Sequence, residues 1–177
     1  MGSITSHVFL IRAINVGGAT LPMADLRSEA TELGAREVRT HIASGNLLCI
    51  PPGPVAEFAR ALQEMIAARH GFSREVIPRS GAQLREAVAA YPFEVDDERF
   101  AHIYFLTGVP APAMVQSFSE NDFGADDCMV IGANLHIYYR AGVAGTKLTA
   151  PKIALGLGVT GTGRNLRTVN KLIDLAG

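Results

Sequence analysis

Arg12, Asn15, Gly17 and Gly18 lie close together in the chain, and Ser44-Gly45-Asn46 forms a second small polar set. Between them they offer a cation, amide and hydroxyl groups, and glycines beside which a ligand can approach backbone N–H groups closely. That is chemistry for holding a carboxylate or a phosphate. The same residue types also build tight turns whose side chains bond only the backbone, and spacing alone leaves both readings open. Arg12 interrupts an apolar run from Val8 to Ile14. A guanidinium there needs a bound anion, an ion-pair partner or a stem that reaches water. A second basic cluster stands near the end of the chain. Wound as a helix, Arg164, Arg167, Thr168 and Lys171 share one face, with Leu166, Val169, Leu172 and Ile173 opposite. Asn165 begins that helix, and Lys147 precedes it in Gly145-Thr-Lys-Leu148. Such a stripe is either a solvated face or an anion site.

Other chemistries lack their residues. No serine sits in a G-x-S-x-G elbow. His7, His41, His70, His102 and His136 include no H-x-x-x-H pair, and neither Cys49 nor Cys128 has a C-x-x-C partner. The acids of Glu94-Val-Asp-Asp-Glu98 share one loop and read as solvated rather than as a metal site. Gly17-Gly18 is not a dinucleotide fingerprint, and there is no Walker loop. The expectation is therefore no metal and no cofactor, with no nucleophile or base to name. His102-Ile-Tyr-Phe-Leu106 faintly resembles the shorter RNA-recognition motif, but the longer one is missing and the neighbouring loop is acidic, so nucleic acid is not expected as a partner.

The elements that must position these residues are legible from periodicity. Val8 to Ile14 and Leu47 to Ile50 are apolar on both alternating faces, as central strands are. Val38 to Ile42 alternates, and Arg74 to Arg79 carries Pro78, so both suit sheet edges. Between them run a helix opened by Pro22 and stopped by Gly34, and another from Val55 to Gly71. The order β-α-β-β-α-β, with the first and third strands doubly buried, predicts a ferredoxin-like half with strands in the order 4-1-3-2. In that arrangement the exit of the first strand and the hairpin at Gly45 share one edge, which brings the two polar sets together. Ser80 and Gln83 form a capping box for the next helix. A strand at His102 to Leu106, a short helix from Pro112, a hairpin through Gly132-Ala133-Asn134, a helix capped by Thr149 and the last helix follow. The second half thus reads β-α-β-β-α plus an extra terminal helix. Gly45-Asn46-Leu47 and Ala133-Asn134-Leu135 occupy matching turns, which suggests a duplication whose second copy lost its closing strand. The fold class expected is α+β, with residues 1–79 as the first half and 80–177 as the second, packed into one unit.

With 177 residues, 48% hydrophobic, the chain suits one domain or two small halves sharing a core. Net charge is −1, unevenly spread: residues 75–127 hold three basic and ten acidic groups, residues 128–177 six basic and one acidic. An acidic middle and a basic tail allow a local anion site but argue against a general nucleic-acid coat. No apolar run approaches the roughly 20 residues of a membrane helix. Met1–Ser6 is short and uncharged, so no signal peptide is expected; it matches the myristoylation pattern literally, but no polybasic second anchor follows. Two cysteines in apolar runs read as reduced core residues of a cytoplasmic protein.

Taken together, Leu10-Ile-Arg12, Ile14-Asn-Val-Gly-Gly18, Met23-Ala-Asp-Leu-Arg27, Val38-Arg-Thr40, Ser44-Gly-Asn46, Lys147-Leu148 and the run from Thr162 through Arg164-Asn165 to Thr168 and Lys171-Leu172 resemble a bacterial family, domain of unknown function 1697. The resemblance covers nearly the whole chain. That family tends to have glycine where Ala13 stands and Thr-Thr-Arg-Asn where this chain reads Thr162-Gly-Arg-Asn165. It implies a small two-part α+β protein and brings no activity or cofactor. Two expectations follow from the residues. The first is a cytoplasmic protein, enzyme or not, that binds a phosphate- or carboxylate-bearing small molecule through Arg12, Asn15, Gly17, Gly18, Ser44, Gly45 and Asn46, with Lys147, Arg164, Asn165, Thr168 and Lys171 assigned to the same site by inference. The second is a non-catalytic interaction or dimerisation module using its exposed edge strands, the oligomeric state being monomer or homodimer.

Overall fold

Four consecutive apolar residues, Val8 to Ile11, make the centre of the first sheet, because a strand buried on both faces has no polar side to offer. The computed structural model describes residues 5–177; residues 1–4, with most of the acylation pattern, lie outside the described residues. The first elements are β1 (His7–Ile11), α1 (Met23–Glu32), β2 (Arg36–His41), β3 (Asn46–Ile50), α2 (Val55–His70) and β4 (Val76–Ser80). Their sheet runs β2-β3-β1-β4 with every adjacent pair antiparallel, which is the expected 4-1-3-2 order. Phe9, Ile11, Leu47 and Cys49 pack with Leu26 and Ala30 of α1 and Phe58, Leu62 and Ile66 of α2. Phe9 meets Phe58 edge-on at 5.0 Å. Val8, Leu10 and Leu48, on the other face, are equally buried.

The remaining elements are α3 (Gly81–Ala89), β5 (Ala101–Leu106), α4 (Pro112–Ser119), β6 (Asp127–Ile131), β7 (Asn134–Tyr138), α5 (Ala150–Leu157), β8 (Gly161–Asn165) and α6 (Leu166–Ala176). The capping box before α3 is formed: Ser80 N donates to Gln83 Oε1 at 2.8 Å, and Gln83 N to Ser80 Oγ at 3.1 Å. The second sheet runs β6-β7-β5-β8, the same order as the first. The fold is α+β, as expected, but the closing strand is present. β8 pairs with β5 from Leu106–Gly161 to His102–Asn165. Gly161-Thr-Gly-Arg-Asn165 carries no strand signal, because glycine is depleted in strands. Here the glycines are needed: a Cβ on Gly161 would meet the Phe105 carbonyl oxygen at 2.5 Å and the Tyr104 ring at 2.8 Å, and one on Gly163 would meet that ring at 3.1 Å. The aromatic ring covers the strand that lacks side chains of its own.

The halves repeat in register. Leu10 pairs with Asn46 in β1–β3, and Phe105 with Asn134 in β5–β7. The next amides, Ile11 N and Leu106 N, donate to Gly45 O and Ala133 O, each at 2.9 Å. The chain divides into two compact units, one reaching Leu84 and including Leu172–Gly177, the other Arg85–Lys171. Within the first, Arg39 Nη2 donates to Leu175 O at 2.8 Å. Cys49 and Cys128 are free, and burial raises their thiols to about 12 and about 11, so both stay protonated. Among the described residues no helix is long and apolar enough to cross a membrane.

His136, in β7, is fully buried, with neither ring nitrogen hydrogen-bonded among the described residues; its ring stands edge-on to Tyr91 at 5.5 Å. Burial lowers its pKa from 6.5 to about 4. The unfolded chain therefore takes up a proton that the folded one refuses. Stability is full above about pH 6.5 and falls as pH drops toward about 4, by about 3 kcal/mol. Urea unfolding across this window should show the loss at least halved in His136→Leu. An identical slope in the variant would contradict the assignment.

Candidate functional site

β1 ends where its hydrogen bonds change partner. Ile11 N donates to Gly45 O at 2.9 Å, and Arg12 N to Glu75 O at 3.0 Å. The strand is thus shorter than the apolar run predicts, and Arg12 to Ile14 belong to a turn. Ala13 at φ 47° and Asn15 at φ 56° are left-handed. Ile14 turns back into the core, 3% exposed, with its Cδ1 2.7 Å from where a Cβ on Gly45 would stand. A side chain at Gly45 would collide with Ile14 and approach the Ile11 carbonyl at 3.1 Å, so glycine lets the hairpin close onto the end of β1. The two distant turns are neighbours, as the strand order requires.

The Asn15 carboxamide holds them. Its Nδ2 donates to Leu21 O at 3.0 Å and to Ala43 O at 2.6 Å, and its Oδ1 accepts from Leu21 N at 2.9 Å. Asn15 N also donates to Ala19 O at 2.6 Å. Asn46 is wholly buried, with Nδ2 donating to His41 O at 2.9 Å and to Ser44 Oγ at 3.1 Å. The amide side chains expected to face a ligand instead build the frame. Arg12 Nη1 lies 3.2 Å from Glu75 Oε2, both side chains partly exposed. Beside it Arg74 Nε donates to Ala13 O at 3.3 Å.

Gly17 and Gly18, at φ 60° and 93°, have no atom within 4 Å of a built Cβ. Neither their N–H groups nor that of Val16 has an acceptor among the described residues. Val16 is 62% exposed and Ile42 52%, and Ile42 sits at φ 50°. Of the four non-glycine residues with positive φ among the described residues, Ala13, Asn15 and Ile42 belong to this one edge; the fourth is Glu37, at the bulge of β2. Sequence reasoning missed Val16 and Ile42, because an apolar residue in a loop gives no hint of its exposure or its backbone angle.

The basic tail is arranged differently from the helical stripe expected. Arg164 lies in β8 opposite Ile103, not on α6, and is 7% exposed. Its Nη1 donates to Thr162 Oγ1 and Gly163 O, each at 2.8 Å. Burial lowers its pKa to about 10, which leaves it charged at neutral pH. The strand Gly161–Asn165 takes the arginine out of the helical count, and the stripe on α6 reduces to Arg167, Thr168 and Lys171. Asn165 Oδ1 accepts from Thr168 N at 2.9 Å, capping α6. Lys147 Nζ pairs with Asp122 Oδ2 at 2.8 Å and holds that carboxyl below its usual range. Lys147, Arg164, Asn165, Thr168 and Lys171 belong to the second unit, and the residues of the loop edge to the first. Among the described residues, no group of three or more His, Cys, Asp or Glu could hold a metal ion.

Comparison with known proteins agrees with this architecture. A family model described as protein of unknown function, DUF1697, matches residues 4–136, and the chain belongs to that family. Among solved structures, the conserved bacterial protein SP0830 from Streptococcus pneumoniae is similar at 20% identity, with a TM-score of 0.77 over 97% of this chain and 98% of that one. That likeness concerns the fold. No curated protein matches the chain.

Ala13, at φ 47°, holds a backbone angle that glycine adopts without steric cost. A Cβ in that region costs roughly 1–2 kcal/mol, partly offset in a glycine variant by the freer unfolded chain. Ala13→Gly should therefore raise unfolding stability by about 1 kcal/mol in urea denaturation. A loss of stability would show that the backbone angle is not the controlling cost.

Proposed function

We propose that the protein is a binding module whose loop edge takes a small phosphate- or carboxylate-bearing molecule. The carrying observation is the run of consecutive N–H groups at Val16, Gly17 and Gly18, without acceptors among the described residues, on two open left-handed glycines. Backbone donors displayed in this way favour an oxyanion. Arg12 supplies the cation; its ion pair with Glu75 is partly solvated and so exchangeable. In this reading Asn15, Ser44, Gly45 and Asn46 shape the site and touch no ligand. The reading names no reaction and needs no cofactor.

A second reading rests on Val16 and Ile42, the exposed apolar residues on the two loops that Asn15 joins. They favour a protein contact made by the loop tips, with a second copy of the chain as the simplest partner. Edge-strand pairing has less support. β2 carries a bulge with Arg36, Glu37 and Arg39, and β4 carries Pro78, all features that discourage pairing.

A thermal-shift series with inorganic phosphate, acetate and a nucleoside monophosphate separates the two. A ligand at about 100 times its Kd adds about 2.7 kcal/mol, enough to raise Tm by several degrees. The rise should shrink in Arg12→Gln. No rise with any probe rejects the anion site. Light scattering that shows mass growing with concentration, reversed by Val16→Ser with Ile42→Ser, supports the contact surface instead.

A further inference from the structure

The starts of α2 and α5 carry opposite charges at the same place. Counted from Val55 and Ala150, Glu57 and Lys152 are both third, and the buried pairs Phe58 and Ile153, Leu62 and Leu157 follow in step. Beside each helix start lies a hollow. In the first unit it is an apolar groove of about 190 Å³ that includes Leu33, Pro54 and Glu57. In the second it is a cleft of about 240 Å³ among Phe118, Phe123, Asp122, Lys152, Leu155 and Gly156. The two halves keep a hollow at equivalent positions with the helix charge reversed.

We propose that the cleft of the second unit binds a small organic acid, with its apolar body against Phe118, Phe123 and Leu155 and its carboxylate at Lys152 Nζ. This site is separate from the loop edge and does not depend on it. The floor is aromatic: the Phe118 and Phe123 rings lie 4.8 Å apart and tilted by 39°. Gly156 lets α5 press onto that floor, since a Cβ there would stand 2.5 Å from Phe118 Cδ2. Leu155, one residue earlier, is 83% exposed at the rim, an apolar wall facing water. The polar groups are already engaged, with one exception. Asn121 Nδ2 donates to Ser117 O and Phe118 O, each at 3.0 Å. Asp122 is neutralised by Lys147 at 2.8 Å. Lys152 forms no ion pair among the described residues, so the uncompensated charge of the cleft is its ammonium. An apolar floor with one convergent cation suits an amphiphilic anion. The volume is below the roughly 300–1,000 Å³ of sites for drug-sized molecules, so one ring or a short chain fits. The first-unit groove presents Glu57 and would repel the same acid.

The test is an NMR titration of the ¹⁵N-labelled full chain with benzoate, and with benzyl alcohol as the uncharged counterpart. Benzoate should give saturable shifts at the Phe123, Leu155 and Gly156 amides, at least about tenfold tighter than benzyl alcohol. Lys152→Glu and Leu155→Ser, both at exposed positions, should each weaken benzoate binding at least about tenfold with Tm nearly unchanged. Equal binding of the two probes, undiminished binding by Lys152→Glu, or no saturation by about 50 mM overturns the proposal. So do benzoate shifts confined to Val16, Gly17 and Gly18, which would assign the acid to the loop edge alone.

Discussion

One carboxamide holds the working edge of the first unit together. Asn15 satisfies three backbone groups, the N–H and C=O of Leu21 in the segment leading into α1 and the C=O of Ala43 in the hairpin after β2. The two Leu21 groups are partly buried, where a missing partner costs about 1–3 kcal/mol, and the third bond, to the exposed Ala43 carbonyl, ties the second loop to the same side chain. The geometry around it follows from that constraint. Asn15 itself is left-handed, Ala13 must turn the chain through the same region, and Ile42 is carried into it on the other loop. Such angles persist only where the surroundings over-determine them. Asn15, together with Ile14 beneath Gly45, is what over-determines them here.

The same frame explains why the outward surface is poor in polar side chains. The Asn15 and Asn46 amides are engaged with the chain itself, and what the edge leaves for a ligand is backbone, glycine, Arg12 and two apolar tips. The second unit shows how much of this is specific to the first. Its sheet has the same order, and its Leu106–Ala133 hydrogen bond matches Ile11–Gly45. After β5, however, the chain reads Thr107-Gly-Val-Pro110 and carries no asparagine to tie the hairpin. The same sheet order therefore carries a different loop arrangement at this edge in the two units.

Much of the architecture was legible because burial leaves a period in the residues. Runs such as Val8 to Ile11 and Leu47 to Ile50 must be central strands whatever lies around them, and those two runs carry the topology. β8 was not legible, because its strand character depends on the Tyr104 ring lying over Gly161 and Gly163, a fact about a distant residue. The neighbourhood of Ile14 and Gly45 followed from strand order alone. The direction of the Asn15 and Asn46 side chains did not, since an amide bonds a ligand or a carbonyl equally well and only the turn geometry decides. Arg164 misled for a related reason: helical spacing placed it with Arg167 and Lys171, but the chain is still extended at that point.

Backbone hydrogen exchange in Asn15→Ala tests the central claim most directly. If Asn15 joins the loops, the Leu21 amide, which donates to its Oδ1, and the Ile11 amide, which bridges to Gly45, should both lose protection by on the order of tenfold or more, while Tyr104 in the second sheet keeps its own. Unchanged protection at Ile11 would mean that the edge is held without Asn15, and would contradict the fastening role assigned to that side chain.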